Sequence, residues 1–342
     1  MSATGPTPPR PAAADPRPFT GPLFLVGMPR SGTKLLRELL CAHPQIGVPQ
    51  AETELLPDWA LRWPSFGDLS QPAAWDRFTA AVAGSAYFTY LREERGLPLD
   101  AAAWRARCPD LSLQGVFEGL CRLHGGAPEG GVWGDKSPGY LAHLPLLWAL
   151  WPEARVVHIV RDCRDYALSM QKAWGKDPER AAWRWAERVA EAEAVGARQP
   201  GRYLRVRYED LLADPEPILR QISDLVGLSF DSAMLVPRSA PENLGSAAGA
   251  AQIQRDNGGR WRFEMEPALQ ARIEAVAGAQ LVACGYPVGG QPGATRPSRL
   301  RRRALQLKDG AALLRFEAQA RGPVEALRFR WRLFRESGAW EG

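Results

Sequence analysis

The chain of 342 residues is 45% hydrophobic, ordinary for one large globular domain with appendages. Its net charge of +5 is unevenly placed: residues 295–342 hold 12 Lys or Arg against 5 Asp or Glu, which leaves the body near −2 and gives no ground for a nucleic-acid partner. No apolar run approaches membrane-span length, nothing near the N-terminus has the form of a signal peptide, and the five cysteines (Cys41, Cys108, Cys121, Cys163, Cys284) lack C-x-x-C spacing, so a soluble cytoplasmic protein with free thiols is expected.

Residues 1–20, rich in Pro and Ala, read as a disordered segment. Leu23-Phe-Leu-Val26 is an unbroken apolar run, the mark of a strand buried on both faces of a parallel sheet. Gly27-Met-Pro-Arg-Ser-Gly-Thr-Lys34 then turns sharply into Leu35-Leu-Arg-Glu-Leu-Leu40, whose leucines recur at helical spacing. Backbone amides at such a turn converge at the positive end of the helix dipole, so the loop is built for a phosphate. Gly27 and Gly32 have the separation found in a nucleoside-triphosphate loop, but Thr33 stands at the position of its phosphate lysine and Lys34 at that of its magnesium hydroxyl. The cation facing the phosphate is instead Arg30, inside the loop.

Helices are expected over Leu55–Trp63, Pro72–Gly96, Asp100–Arg107 and Leu111–His124. They carry Trp59, Trp63, Trp75, Tyr87 and Tyr90, which suit either a helical core or the walls of an acceptor cleft. A second buried strand ends at Val132-Trp133, ahead of Gly134-Asp-Lys-Ser-Pro138 and a helix over His143–Trp151. A third, Ala154–Val160, runs into Arg161-Asp-Cys-Arg-Asp165 and a helix over Tyr166–Ala173. A long helix at Pro178–Arg198 precedes a fourth strand at Tyr203–Val206. Tyr208-Glu-Asp-Leu-Leu212, a helix at Pro215–Val226, an irregular stretch, Gly259-Arg-Trp-Arg262 and a helix at Pro267–Ala283 follow. Alternating strands and helices predict a three-layer α/β/α domain over 21–290, with a P-loop-type open parallel sheet and a ligand at the strand C-terminal ends. In the basic extension 291–342, Arg299, Arg301, Arg302 and Arg303 precede Leu305, Leu307, Leu313, Leu314 and Phe316; Leu327, Phe329, Trp331 and Leu333 then alternate with Arg328, Arg330 and Arg332 at strand period. A peripheral contact with an anionic membrane, a subunit contact in a homodimer and a solvated extension stay open for it.

The PRSGTKLL run at residues 29–36 resembles the 5′-phosphosulfate loop of sulfotransferases that use 3′-phosphoadenosine 5′-phosphosulfate (PAPS), and the whole pattern is most similar to the protein-tyrosine and related carbohydrate sulfotransferases. Arg161 at a strand end with Ser169 eight residues on resembles that family's 3′-phosphate segment; a charged fork and a hydroxyl two helical turns apart can grip one phosphate. By this resemblance Arg30, Ser31, Gly32, Thr33 and Lys34 hold the 5′-phosphosulfate, Arg161 and Ser169 the 3′-phosphate, and Tyr208 lines the adenosine pocket. Arg260 belongs to a late basic loop closing on the 3′-phosphate, and Ser246 is a looser match for the same pocket. The resemblance covers roughly residues 22–287.

The same resemblance implies in-line sulfonyl transfer from PAPS to a hydroxyl or amine on a small molecule, carbohydrate or lipid, with no metal required. Arg30 stabilises the leaving phosphate, Lys136 neutralises the sulfonyl oxygens and Glu52 takes the acceptor proton. Glu54 stays open as an alternative base, His43 reads as structural, and Glu209-Asp210 as caps of the following turn rather than metal ligands. Two competing readings remain. A P-loop kinase or ATPase is disfavoured by Thr33 at the lysine position, and a non-catalytic PAPS-fold binding protein would keep Arg161 and Ser169 without needing Glu52 or Lys136.

Overall fold

The computed structural model describes residues 18–240, 249, 252–325 and 327; Ser246, the alternation over 328–333 and all but the end of the 1–20 segment lie outside the described residues. Five strands, β1 (Leu23–Gly27), β2 (Ile46–Gly47), β3 (Val132–Lys136), β4 (Arg155–Val160) and β5 (Tyr203–Arg207), form one parallel sheet in the order β2-β3-β1-β4-β5. Connections from the central β1 lead first to one side of it and later, through β4, to the other, so the strand order switches at β1. Leu25 lies opposite Lys136, Gly27 opposite Ile159 and Val160 opposite Arg207. This register lines up the strand ends and brings the loop after β1, Arg161 and Tyr208 to one edge.

The apolar run of β1 divides as a doubly covered strand requires. Leu23 and Leu25 enter a core with Val157, Ile159 and the leucines of the helix Thr33–Leu40, while Phe24 and Val26 enter a larger one with Val156, Val160 and Trp185. These are the two outer interfaces of three layers. The expected helix at Pro72–Gly96 is in fact two, Pro72–Val82 and Ala86–Arg95, because Ser85 after Gly84 adopts an extended conformation. Trp59, Trp75 and Tyr87 are at most 4% exposed. Trp59 stacks on Trp104 and packs edge-on against Phe78, so Trp59, Trp75 and Tyr87 are core, while Trp63 beside them is half-buried and Tyr90 is exposed.

The C-terminal region contributes a helix, Arg299–Arg321, laid against the helices Cys163–Trp174 and Pro178–Gly196. Its anchoring contact is ionic: buried Asp309 accepts from the Asp177 amide at 2.7 Å and from Arg180 at 2.6 Å. Lys308 pairs with Asp177 and Arg301 with Glu179, while Leu300 and Leu307 face outward. The five cysteines are unpaired, and no helix among the described residues is long and apolar enough to cross a membrane.

Candidate active site

The loop after β1 is shaped by what its glycines touch. A Cβ on Gly27 would lie 2.5 Å from the Ile159 carbonyl, and one on Gly32 would lie 2.3 Å from the Tyr208 ring. Between them Arg30 (φ 68) and then Gly32 (φ 95) adopt left-handed conformations that reverse the chain. For Arg30 this costs roughly 1–2 kcal/mol, the kind of strain that surrounding structure must hold in place. Gly32 caps the helix Thr33–Leu40 without a side-chain bond, so first-turn amides are left for a ligand. Ser31 is fully buried and its hydroxyl has no hydrogen-bond partner; Thr33 is buried and Lys34 partly so.

The predicted anion-binding residues converge here. Arg30 Nε donates to Ser169 Oγ at 3.4 Å, and Arg161 Nη1 donates to the Arg30 carbonyl at 3.1 Å. Arg161 Nη2 donates to the Asn257 carbonyl at 2.8 Å, its guanidinium lies 4.8 Å from the centre of the Tyr208 ring, and its buried Nε has no partner. Thus Arg161 pairs with neither Asp162 nor Asp165 as a surface ion pair. Tyr208 underlies the loop at Gly32 and accepts from the Asn257 amide at 2.9 Å.

The second cluster sits at the end of β3. Lys136, the last residue of that strand and 1% exposed, donates to Glu52 Oε1 at 2.7 Å; Glu52 is 39% exposed. Lys136 therefore pairs across the site with Glu52 rather than with its neighbour Asp135. Thr53 Oγ1 meets Tyr140 OH at 2.9 Å and the Glu54 amide donates to Ser137 Oγ at 3.2 Å, stitching the Glu52 loop to the segment after β3. Glu54 has φ 52 and accepts from the Gly139 amide at 3.0 Å. Its carboxyl, open to solvent on one side but crowded by the chain, is pushed up to about 7 by desolvation, with the like charges of Glu52 and Asp135 adding to the effect. Asp135 is fully buried, neither carboxyl oxygen has a hydrogen-bond partner, and burial pushes it up to about 7 as well.

Arg260 lies farther along, on a turn packed over the helix Cys163–Trp174. Its guanidinium pairs with Glu264, which also takes Lys172 at 2.5 Å. His43 is structural, held by the Gln45 amide and the Ser229 carbonyl. Glu209 is not a cap: it accepts from the Asp162 amide at 3.0 Å and from Tyr286 OH at 2.7 Å, joining the ends of β4 and β5 to the last core helix. Among the described residues no group of three or more His, Cys, Asp or Glu is placed to hold a metal ion.

The family description "Sulfotransferase family" matches residues 22–232, well over half of the chain. The chain belongs to this family. Sulfotransferase relatives include a Caenorhabditis briggsae protein whose name carries the words protein-tyrosine sulfotransferase, 25% identical over 62% of this chain and 68% of its own length. Protein-tyrosine sulfotransferase 1 of Danio rerio is 25% identical over 67% of this chain and 58% of its own, and nodulation protein NoeE of Sinorhizobium fredii is 25% identical over 62% and 51%. The chain thus spans about half to two thirds of the length of these relatives. The sulfotransferase domain of the Synechococcus PCC 7002 olefin synthase superposes with TM-score 0.53 at 24% identity, covering 80% of this chain and 98% of that domain, which fixes the fold. Within this sulfotransferase, motif reading missed Asn257, which ties Arg161 to Tyr208, and Asp165, which receives two amides of the Arg260 turn. Neither had a local signal; both act through chain segments about 50 to 100 residues away.

Proposed function

We propose that this sulfotransferase uses PAPS as donor and transfers its sulfonyl group to a hydroxyl or amine of a small molecule, carbohydrate or lipid, with no metal. The carrying observation is the Arg30–Ser169–Arg161 constellation around the Gly32–Tyr208 contact, one strand away from the Glu52–Lys136 pair. The residues present fit the donor. The unpartnered Ser31 hydroxyl and Arg161 Nε, the unspent first-turn amides and the aromatic floor of Tyr208 match a nucleotide with an anionic group at each end. Bound PAPS supplies a sulfonyl group on a phosphate leaving group.

The chain's own residues do the rest. Arg30 and the amides of residues 32–34 stabilise charge that develops on the leaving phosphate, and each such donor is worth a factor of ~10² to 10³ in turnover. Lys136, fixed by burial, holds its ammonium where sulfonyl oxygens gain charge. Glu52, the exposed partner in that pair, takes the acceptor proton at its carboxylate. Glu54 supports a second reading of the base, since a carboxyl near 7 is matched to proton transfer at neutral pH; its engagement with the Gly139 amide favours Glu52. The unpaired thiols support a reducing, cytoplasmic setting.

Calorimetric titration with 3′-phosphoadenosine 5′-phosphate against ATP plus magnesium tests the donor. Tighter binding of the bisphosphate is expected, and tighter binding of ATP with magnesium overturns the reading in favour of a kinase. An acceptor screen that follows release of the bisphosphate, with Glu52→Gln and Lys136→Ala as controls, tests catalysis. Turnover equal to the parent's in both variants overturns the assigned roles.

A further inference from the structure

Arg161 stands just before the helix Cys163–Trp174, and Asp165 and Ser169 follow it at four-residue steps, so an acid sits between two anion-binding groups. A carboxylate there opposes a bound phosphate by like charge. The structure gives it another task. Asp165 is 2% exposed; its Oδ2 accepts from the Gly259 amide at 2.6 Å and its Oδ1 from the Trp261 amide at 2.8 Å. Those amides flank Arg260. The same turn is braced beneath by Trp261, whose ring lies 3.6 Å from the Arg164 guanidinium, itself paired with Asp162 and Glu274.

We infer that Asp165 is a positioning residue: it fixes the backbone on both sides of Arg260 over the 3′-phosphate end of the nucleotide, and so gives the enzyme its preference for nucleotides carrying that phosphate. The inference rests on the PAPS reading. Arg161 also holds this turn, through the Asn257 carbonyl. Arg161 keeps its Nε unpartnered for a phosphate, so this tie and the two bonds to Asp165 hold the turn from both sides. A charge-assisted pair of hydrogen bonds to backbone amides is among the strongest anchors available to a loop.

The test compares dissociation constants of 3′-phosphoadenosine 5′-phosphate and adenosine 5′-phosphate for the parent, Asp165→Asn, Arg260→Ala and the double variant. The parent is expected to prefer the bisphosphate. Asp165→Asn is expected to shrink that preference at least ~10-fold while changing adenosine 5′-phosphate affinity by less than ~3-fold, since one lost charge-assisted hydrogen bond is worth about that factor. In the Arg260→Ala background the Asp165 substitution should remove no further preference. An undiminished preference in Asp165→Asn, or an equal loss for both nucleotides, overturns the inference alone; a parent with no preference overturns the PAPS reading beneath it. Should the Asp165 variant fail to fold, hydrogen exchange of the parent decides: protected amides at Gly259 and Trp261 without nucleotide support the inference, and free exchange overturns it.

Discussion

Replacing Gly32 by alanine should damage both stability and nucleotide binding, and the geometry fixes how much. At φ 95 any side chain sits in the left-handed region, at a cost of roughly 1–2 kcal/mol. The new methyl would lie 2.3 Å from Tyr208 Cδ2, and displacing a packed ring costs about 1–3 kcal/mol. Lost freedom in the unfolded chain returns about 0.4–1 kcal/mol. The net destabilisation is on the order of 1–5 kcal/mol, against a total stability of about 5–15 kcal/mol. Because the Tyr208 ring also lies against Arg161 and is hydrogen-bonded by Asn257, nucleotide affinity should fall with it. Urea unfolding of Gly32→Ala in the parent and in a Tyr208→Ala background separates the contributions, since only the backbone part survives once the ring is gone. The same penalty in both backgrounds, or one below about 0.5 kcal/mol in the parent, would refute the reasoning.

Glu52→Gln and Lys136→Ala should each lower turnover by ~10² or more while Glu54→Gln stays within about tenfold of the parent; the reverse order in steady-state rates would move the base to Glu54. Asp135, pushed up to about 7 in the folded protein against about 3.9 unfolded, is protonated in both states below pH 4 and costs stability as pH rises through 7. Relative to Asp135→Asn, the parent should therefore lose on the order of 4 kcal/mol between pH 4 and 8, and parallel denaturation curves would contradict this. Asp309→Ala withdraws the carboxylate that faces buried Arg180 and should destabilise by on the order of 3 kcal/mol, read as a fall in Tm that Asp309→Glu does not reproduce in full.

Much of the geometry around the loop after β1 was legible because its signals are local. A four-residue apolar run, two glycines five apart and a basic residue between them specify strand, reversal and helix without outside help, and Arg161 and Tyr208 follow their strands directly. The partner of Lys136 was not legible. Lys136 and Glu52 are 84 residues apart, and they meet through the pairing of β2 with β3 and the bonds from Thr53 and Glu54 to the segment after β3. The two-residue β2 is too short to carry any period. Buried Asp135 and Lys136 interrupt the apolar pattern of β3, which therefore reads as ending early. The tryptophans were ambiguous, since core and cleft ask for the same residues at the same spacing.

Asp309 lies more than seventy residues beyond the stretch that matches the family, yet it completes the N-terminal end of a helix that packs against the one bearing Ser169. Ser169 thus depends, through two packed helices, on a carboxylate that the family-matching stretch does not contain. The loop after β1 can be drawn from its own motif, but one of the braces behind it is supplied from far outside that motif.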